Sequence, residues 1–327
     1  MSEVKTIKPQ KLTAGDTVAI ISPSNIISHR KDEVEKACRN FEELTGLKTV
    51  LAPNALASHY YTAGTKQQRL DDFHWALNNP EVKAIIFSVG GNTAIELLKD
   101  LDYELIRSTK KIIAGISDAT TLLDAITAKT GLITFLGIEF LDFAKQDMSY
   151  EVESIKKSWL DGDVGKIEQN KNWKDFKDLP TQYAGWETIR AGVASGKVAG
   201  GNFSSISQLR GTEYSQDFRG NILFIEGYMK AKKEIHQTLE QLKLWGVLEE
   251  ISALVIGYYT GSDEPNRIGN DRTIKDIILE TTEGFNFPVM KIGEVGHHVE
   301  NLMLPIGATV SIDASSLLIT VTETIVE

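Results

Sequence analysis

Through the first half of this chain, short apolar runs alternate with segments that carry one apolar face at helical spacing. That rhythm fits a parallel β-sheet covered by helices and little else. The runs are Thr17-Val18-Ala19-Ile20-Ile21, Thr49-Val50-Leu51, Val82 to Phe87, and Ile112-Ile113, and helices are expected between them over 31–45, 66–78 and 93–100. In the first helix the stripe Val34, Ala37, Cys38, Phe41, Leu44 would face the sheet. Parallel sheets bind ligands in the crevice outside the carboxyl ends of their strands. Two such ends stand out here, Ser88-Val89-Gly90-Gly91-Asn92 and Gly115-Ile116-Ser117.

The second half has a different texture. From about 150 to 185 the sequence turns polar and tryptophan-bearing, with a lysine-rich stretch from Lys166 to Lys177, which reads as a connection between domains. Beyond it come Gly200-Gly201-Asn202, a strand over 221–226, a helix over 232–245 with Ile235, Leu239, Leu242 and Trp245 on one face, and strands over 253–257 and 288–292. The end alternates like a half-exposed hairpin over 308–312 and 318–322. The expected organisation is a domain over 1–165, a connection over 166–185 and a second domain over 186–327.

Composition narrows the partners. A formal net charge of -10 and no basic cluster flanked by aromatics argue against a nucleic-acid ligand. No window approaches the ~18 apolar residues of a membrane span and the first residues lack the apolar core of a signal peptide, so a soluble, cytoplasmic protein without a membrane partner is expected. The single cysteine, Cys38, excludes an intrachain disulfide and reads as a small packed hydrophobe.

Chemistry concentrates at Gly115-Ile116-Ser117-Asp118-Ala119. An apolar strand over 111–114 hands over to a helix with Leu122, Leu123, Ala125 and Ile126, ended by Gly131. Ser117 would then stand beside a helix amino terminus, as in the nucleophile elbow of serine hydrolases, although a serine that merely caps the helix has the same local sequence. A serine nucleophile needs a base, a group that orients the base, and an oxyanion site. Of the six histidines, only His297 and His298 follow a probable-length strand and a glycine, and adjacent residues point different ways. Glu226 ends an apolar strand, where a carboxylate is costly without a partner; an edge glutamate reaching water is the plainer alternative. Oxyanion donors would be the N–H of Asp118 and one from Gly90 or Gly91, if that Gly-Gly pair is more than a turn.

Taken together these segments resemble the LD-carboxypeptidase family of serine peptidases, which includes the microcin C immunity peptidases. The resemblance is carried by Leu12 to Thr17 with Ser22-Pro23-Ser24, Val89 to Asn92, Leu101-Asp102-Tyr103, Gly115 to Asp118, Phe224-Ile225-Glu226, and Gly296-His297 with Asn301 and Leu304 to Gly307. It implies Ser117 as nucleophile, His297 as general base, Glu226 as its orienting acid, and an oxyanion hole at Gly90, Gly91 and Asp118. It also implies an N-terminal Rossmann-like parallel sheet domain, a C-terminal mixed β/α domain, no cofactor or metal, a small peptide or peptidyl-nucleotide substrate, and a homodimer. One departure is Ile116, where the family usually has an aromatic residue. The stretch Ala184 to Glu187 looks like the microcin immunity branch, in which the matching tryptophan stacks on a nucleotide base. Trp186 and Asn92 are thus the expected substrate contacts, although a tryptophan packing the interdomain connection has the same sequence signature. Cleavage of a terminal D-alanine from a murein tetrapeptide is the alternative activity.

Three other classes fit less well. A catalytically silent binding protein would have the same architecture without using Ser117. A nicotinamide-dependent oxidoreductase lacks its glycine fingerprint, since Ser22-Pro23-Ser24-Asn25 follows the first strand. A metalloenzyme is disfavoured because His297 and His298 are adjacent and no cysteine set exists.

Overall fold

A computed structural model describes residues 4–144, 147–174, 183–262 and 272–327. The first sheet takes its parallel strands from β1 (Thr17–Ile21), β2 (Lys48–Leu51), β3 (Val82–Phe87), β4 (Ile112–Gly115) and β5 (Thr134–Leu136). Their spatial order is β5-β4-β3-β1-β2, so the chain reverses its direction of winding between β1 and β3. Such a reversal opens a crevice at the strands' carboxyl ends. The strands are nearly continuous apolar runs because helices cover both faces, and β3 and β4 are buried over almost all their residues.

The covering helices include α1 (Lys31–Thr45), α2 (Lys66–Asn78), α3 (Tyr103–Thr109) and α4 (Ala119–Thr130). In α1 the buried face is Val34, Ala37, Phe41 and Thr45, while Leu44 is exposed and Cys38 half-buried. The stripe therefore turns one residue further than expected, because steps of three, four and four keep Thr45 over the sheet. α2 starts at a capping box in which Thr65 and Gln68 satisfy each other's backbone N–H groups. The helix expected over 93–100 is only a tight turn, Ala94–Leu97. Its start is tied down by side chains from other segments, and Asp102 then caps the separate helix α3, so too few residues remain for a longer one.

The second sheet has eight strands. Its centre is parallel: β8 (Val193–Asn202), β9 (Ile222–Gly227), β10 (Ala253–Tyr259) and β11 (Val289–Gly296). The flanks are antiparallel: β7 (Glu187–Arg190) beside β11, and β13 (Thr309–Asp313) with β14 (Leu318–Val321) as the hairpin expected at the end of the chain. α6 (Phe203–Leu209), α7 (Lys232–Leu244) and α8 (Ile274–Thr281) pack around it, with Ile235, Leu239 and Leu242 of α7 fully buried. Among the described residues no helix is long and apolar enough to cross a membrane.

Two segments interlock the halves. β12 (Leu304–Ile306), far along the chain, pairs antiparallel with β5 and completes the first sheet. The stretch that looked irregular from 150 onward begins with α5 (Ser149–Ile155), continues in a wide helical turn to Asp161, and buries Val152, Ile155 and Trp159. Lys166–Ile167 then forms β6 at the edge of the second sheet, against β14. Residues 175–177 of the lysine-rich stretch lie outside the described residues.

Candidate active site

Ser117 follows β4 and precedes α4, and its backbone is left-handed, with φ of 67°. That conformation is disfavoured for any residue with a Cβ by about 1–2 kcal/mol, and it lifts the side chain out of the strand-to-helix turn. Neighbours on every side make the turn tight. A Cβ on Gly115 would lie 2.6 Å from that of Ala119 and 2.7 Å from the Phe87 ring, so a small residue is required before the serine and another after it. A Cβ on Gly90 would stand 2.7 Å from Ser117 Cβ, 2.8 Å from its Oγ and 3.7 Å from the Asp118 nitrogen. The backbone of Gly90 thus passes directly beside the serine hydroxyl.

Asp118 holds this geometry with its side chain, a role its backbone N–H alone did not suggest. Its buried carboxylate accepts hydrogen bonds from Ser24 Oγ at 2.6 Å and from the Ala94 N–H at 2.9 Å. Ser24 Oγ in turn accepts from the N–H groups of Asn92 (3.0 Å) and Thr93 (2.9 Å). The loops after β1, β3 and β4 are therefore tied together by one carboxylate and one hydroxyl. Gly91 lies against Ser24 rather than Ser117: a Cβ there would fall 2.1 Å from Ser24 Oγ. Of the two glycines, Gly90 is the one beside the serine. Asn92 is exposed at the mouth of the crevice.

The second sheet brings a buried pair to the same place. Glu226, on β9, is completely buried, and its Oε2 lies 2.7 Å from Nδ1 of His297, which follows β11. The other carboxylate oxygen accepts from Asn202 Nδ2 at 3.0 Å. Burial disfavours the imidazolium, but the charge and hydrogen bond of Glu226 outweigh it, with Glu139 and Asp142 adding, and the His297 pKa rises above its usual 6.5. His297 Nε2 is buried and has no hydrogen-bond partner. The imidazole is fixed from one side and free to exchange a proton on the other.

Asn202 links the two halves of the site. It ends β8 in register with Glu226, and its N–H donates to Thr120 Oγ1 of α4 at 3.1 Å. Ser205 Oγ, one turn into α6, donates to the Ser117 carbonyl at 3.3 Å. The asparagine was visible in the sequence as the end of Gly200-Gly201-Asn202; its role became visible only with the register of β8 against β9. Asn301 clamps Gly296 from both sides, accepting from its N–H at 2.8 Å and donating to its carbonyl at 2.9 Å. Tyr228, half-exposed, sets its ring 5.1 Å from the His297 ring and was not anticipated.

Trp186 is 6% exposed, packs in the main core, and donates its indole N–H to the buried Glu294. His298 sets its ring 5.4 Å from that of Tyr228 between centres.

The model of the LD-carboxypeptidase N-terminal domain matches residues 18–137, and that of its C-terminal domain matches residues 195–312. YocD of Bacillus subtilis strain 168 is 30% identical over 315 residues, covering 94% of this chain and 96% of that protein. The microcin C7 self-immunity protein MccF of Escherichia coli is 28% identical over 335 residues, covering 95% and 94%. The MccF structure in complex with aspartyl sulfamoyl adenosine matches with a TM-score of 0.88 at 27% identity, over 98% of this chain and 100% of that one. The murein tetrapeptide carboxypeptidase of Pseudomonas aeruginosa is 25% identical over 306 residues, covering 92% and 94%. Matched by both domain models of the family and by relatives along nearly its whole length, the chain belongs to the LD-carboxypeptidase family and is a serine peptidase hydrolase.

Proposed function

We propose that Ser117, His297 and Glu226 form the catalytic triad of a hydrolase that cleaves a carboxyl-terminal amide or acyl bond of an aminoacyl or peptidyl nucleotide. The observation that carries this reading is the buried Glu226–His297 pair at 2.7 Å with Nε2 unpartnered, whose imidazole lines one cavity with Ile116, the residue before the left-handed Ser117. His297 Nε2 takes the proton of Ser117 Oγ as that oxygen bonds to the substrate carbonyl carbon. Glu226 keeps the other imidazole proton on Nδ1 and stabilises the imidazolium. The N–H groups of Gly90 and Asp118 receive the oxyanion, favoured by the amino terminus of α4. Collapse breaks the scissile bond, the leaving group collects the proton from His297, and water then hydrolyses the acyl-enzyme by the same route. Ser117→Ala removes the nucleophile without disturbing the pair.

The likeness to MccF, whose structure holds aspartyl sulfamoyl adenosine, supports the nucleotide class. The covered Trp186 favours a second reading, removal of the terminal D-alanine from a murein tetrapeptide, because it removes one reason to expect a base-stacking surface. Release measured from aspartyl sulfamoyl adenosine beside a murein tetrapeptide separates the two. Turnover of the tetrapeptide alone selects the second; turnover that survives Ser117→Ala refutes the triad.

A further inference from the structure

Beside His297 lies a small cavity of about 20 Å³, room for one group the size of a water or an ammonium. Ile116, immediately before the proposed nucleophile, and His297 both line it, so it adjoins the reacting centre. Three acids also line it, Glu139, Asp142 and Glu151, and no lysine or arginine is among its described lining residues. Glu151 is 1% exposed: Oε1 accepts from the Asn301 N–H at 2.9 Å, while Oε2 is buried with no partner. The cation whose charge is felt at Glu139 and Asp142, Arg30, is held by Glu33 through two hydrogen bonds. Among the described residues no group of three such ligands converges closely enough to hold a metal ion.

A buried carboxylate oxygen without a donor is unfavourable, and the donor that fits this volume and charge is a single –NH₃⁺. We propose that the cavity is a subsite for one primary ammonium group on the acyl half of the substrate, with Glu151 and Glu139 as its acceptors. That the ammonium arrives on an acyl group rests on the hydrolase reading above. Burial pushes the empty Glu151 up to about 8, so an arriving ammonium also displaces a proton from it. Because Asn301 bonds both Glu151 and Gly296, occupation of the subsite bears directly on the segment that carries His297.

The test is binding to the full-length Ser117→Ala protein, which does not consume its ligand. Three probes are titrated: aspartyl sulfamoyl adenosine, its Nα-acetyl form, and Nα-acetyl-lysyl sulfamoyl adenosine. The free α-amine is expected to bind at least tenfold more tightly than the Nα-acetyl form; the same gain in the lysyl probe would instead identify a side-chain ammonium as the ligand. Adding Glu139→Gln or Glu151→Gln should reduce that ratio to threefold or less. Glu139 is half-buried, so its variant remains informative should Glu151→Gln fail to fold. Equal affinity for all three probes, or a ratio that survives both substitutions, overturns the subsite. An amine preference in a protein whose unsubstituted form hydrolyses none of the probes leaves the subsite standing and overturns the nucleotide reading of the substrate.

Discussion

Glu226→Gln changes one atom in a fully buried hydrogen-bond chain and should separate orientation from mere packing. The carboxylate accepts twice, from His297 on Oε2 and from Asn202 Nδ2 on Oε1. An amide accepts on only one side. If its oxygen faces His297, its NH₂ opposes that of Asn202 and leaves two buried donors unsatisfied, at about 1–3 kcal/mol. If its NH₂ faces His297, Nδ1 must give up its proton, the proton moves to Nε2, and the base is lost. The second arrangement is the cheaper one, and a base held in the wrong tautomer costs about 10⁴ in kcat, or roughly 5.5 kcal/mol. Because burial alone lowers the imidazole pKa and Glu226 raises it, the rise of kcat/KM with pH should have its midpoint above 6.5 in the parent and move down in the variant. The check is a pH–rate profile of both proteins. Adding Asn202→Asp should restore part of the rate, since an aspartate accepts from the glutamine NH₂, still caps α6, and returns the amide oxygen to His297. A loss below tenfold with an unmoved midpoint would refute the orienting role of Glu226.

Gly90→Ala places a methyl group 2.7 Å from Ser117 Cβ and should lower kcat by about 10² or more while the circular dichroism spectrum stays that of the parent; an unchanged kcat argues against the Gly90 oxyanion site. Ser117→Gly relieves a left-handed penalty of about 1–2 kcal/mol, partly offset by the roughly 0.5–1 kcal/mol of extra chain freedom of glycine, so denaturant unfolding should give a slightly more stable, inactive protein. Greater instability would mean the elbow is not strained. Glu151 retains its proton from its ordinary 4.5 up to about 8 when folded, so its contribution to stability is complete below 4.5 and is lost as pH rises through 8. Glu151→Gln should therefore flatten the fall in stability between pH 4.5 and 8, read from denaturant midpoints across that range.

Much of the first sheet is legible in residue order because parallel strands buried on both faces are written as uninterrupted apolar runs, as in Ile112 to Ala114, and the intervening helices carry their own caps. Ser117 is legible for a local reason: Gly115, Ala119 and the helix start are all within a few residues of it. What fails is what depends on distant partners. The helix expected over 93–100 is shortened by Ser24 and Asp118, neither of them near it in sequence. β12 is three residues long and acquires meaning only by pairing with β5. The partner of the Trp186 indole N–H, Glu294, is likewise more than a hundred positions away.

The sequence by itself determined the alternating architecture, the serine at a strand-to-helix turn and the candidates Glu226 and His297, since each rests on local spacing and on the cost of burying a charge. Only the tertiary structure decided that Glu226 meets His297 at 2.7 Å, that Asn202 bridges Glu226 and α4, that Gly90 rather than Gly91 lies beside the hydroxyl, and that three acids share a cavity with the base. Those contacts join residues tens to more than a hundred positions apart, and strand register together with the packing of one sheet against the other, rather than any local propensity, brings them within reach.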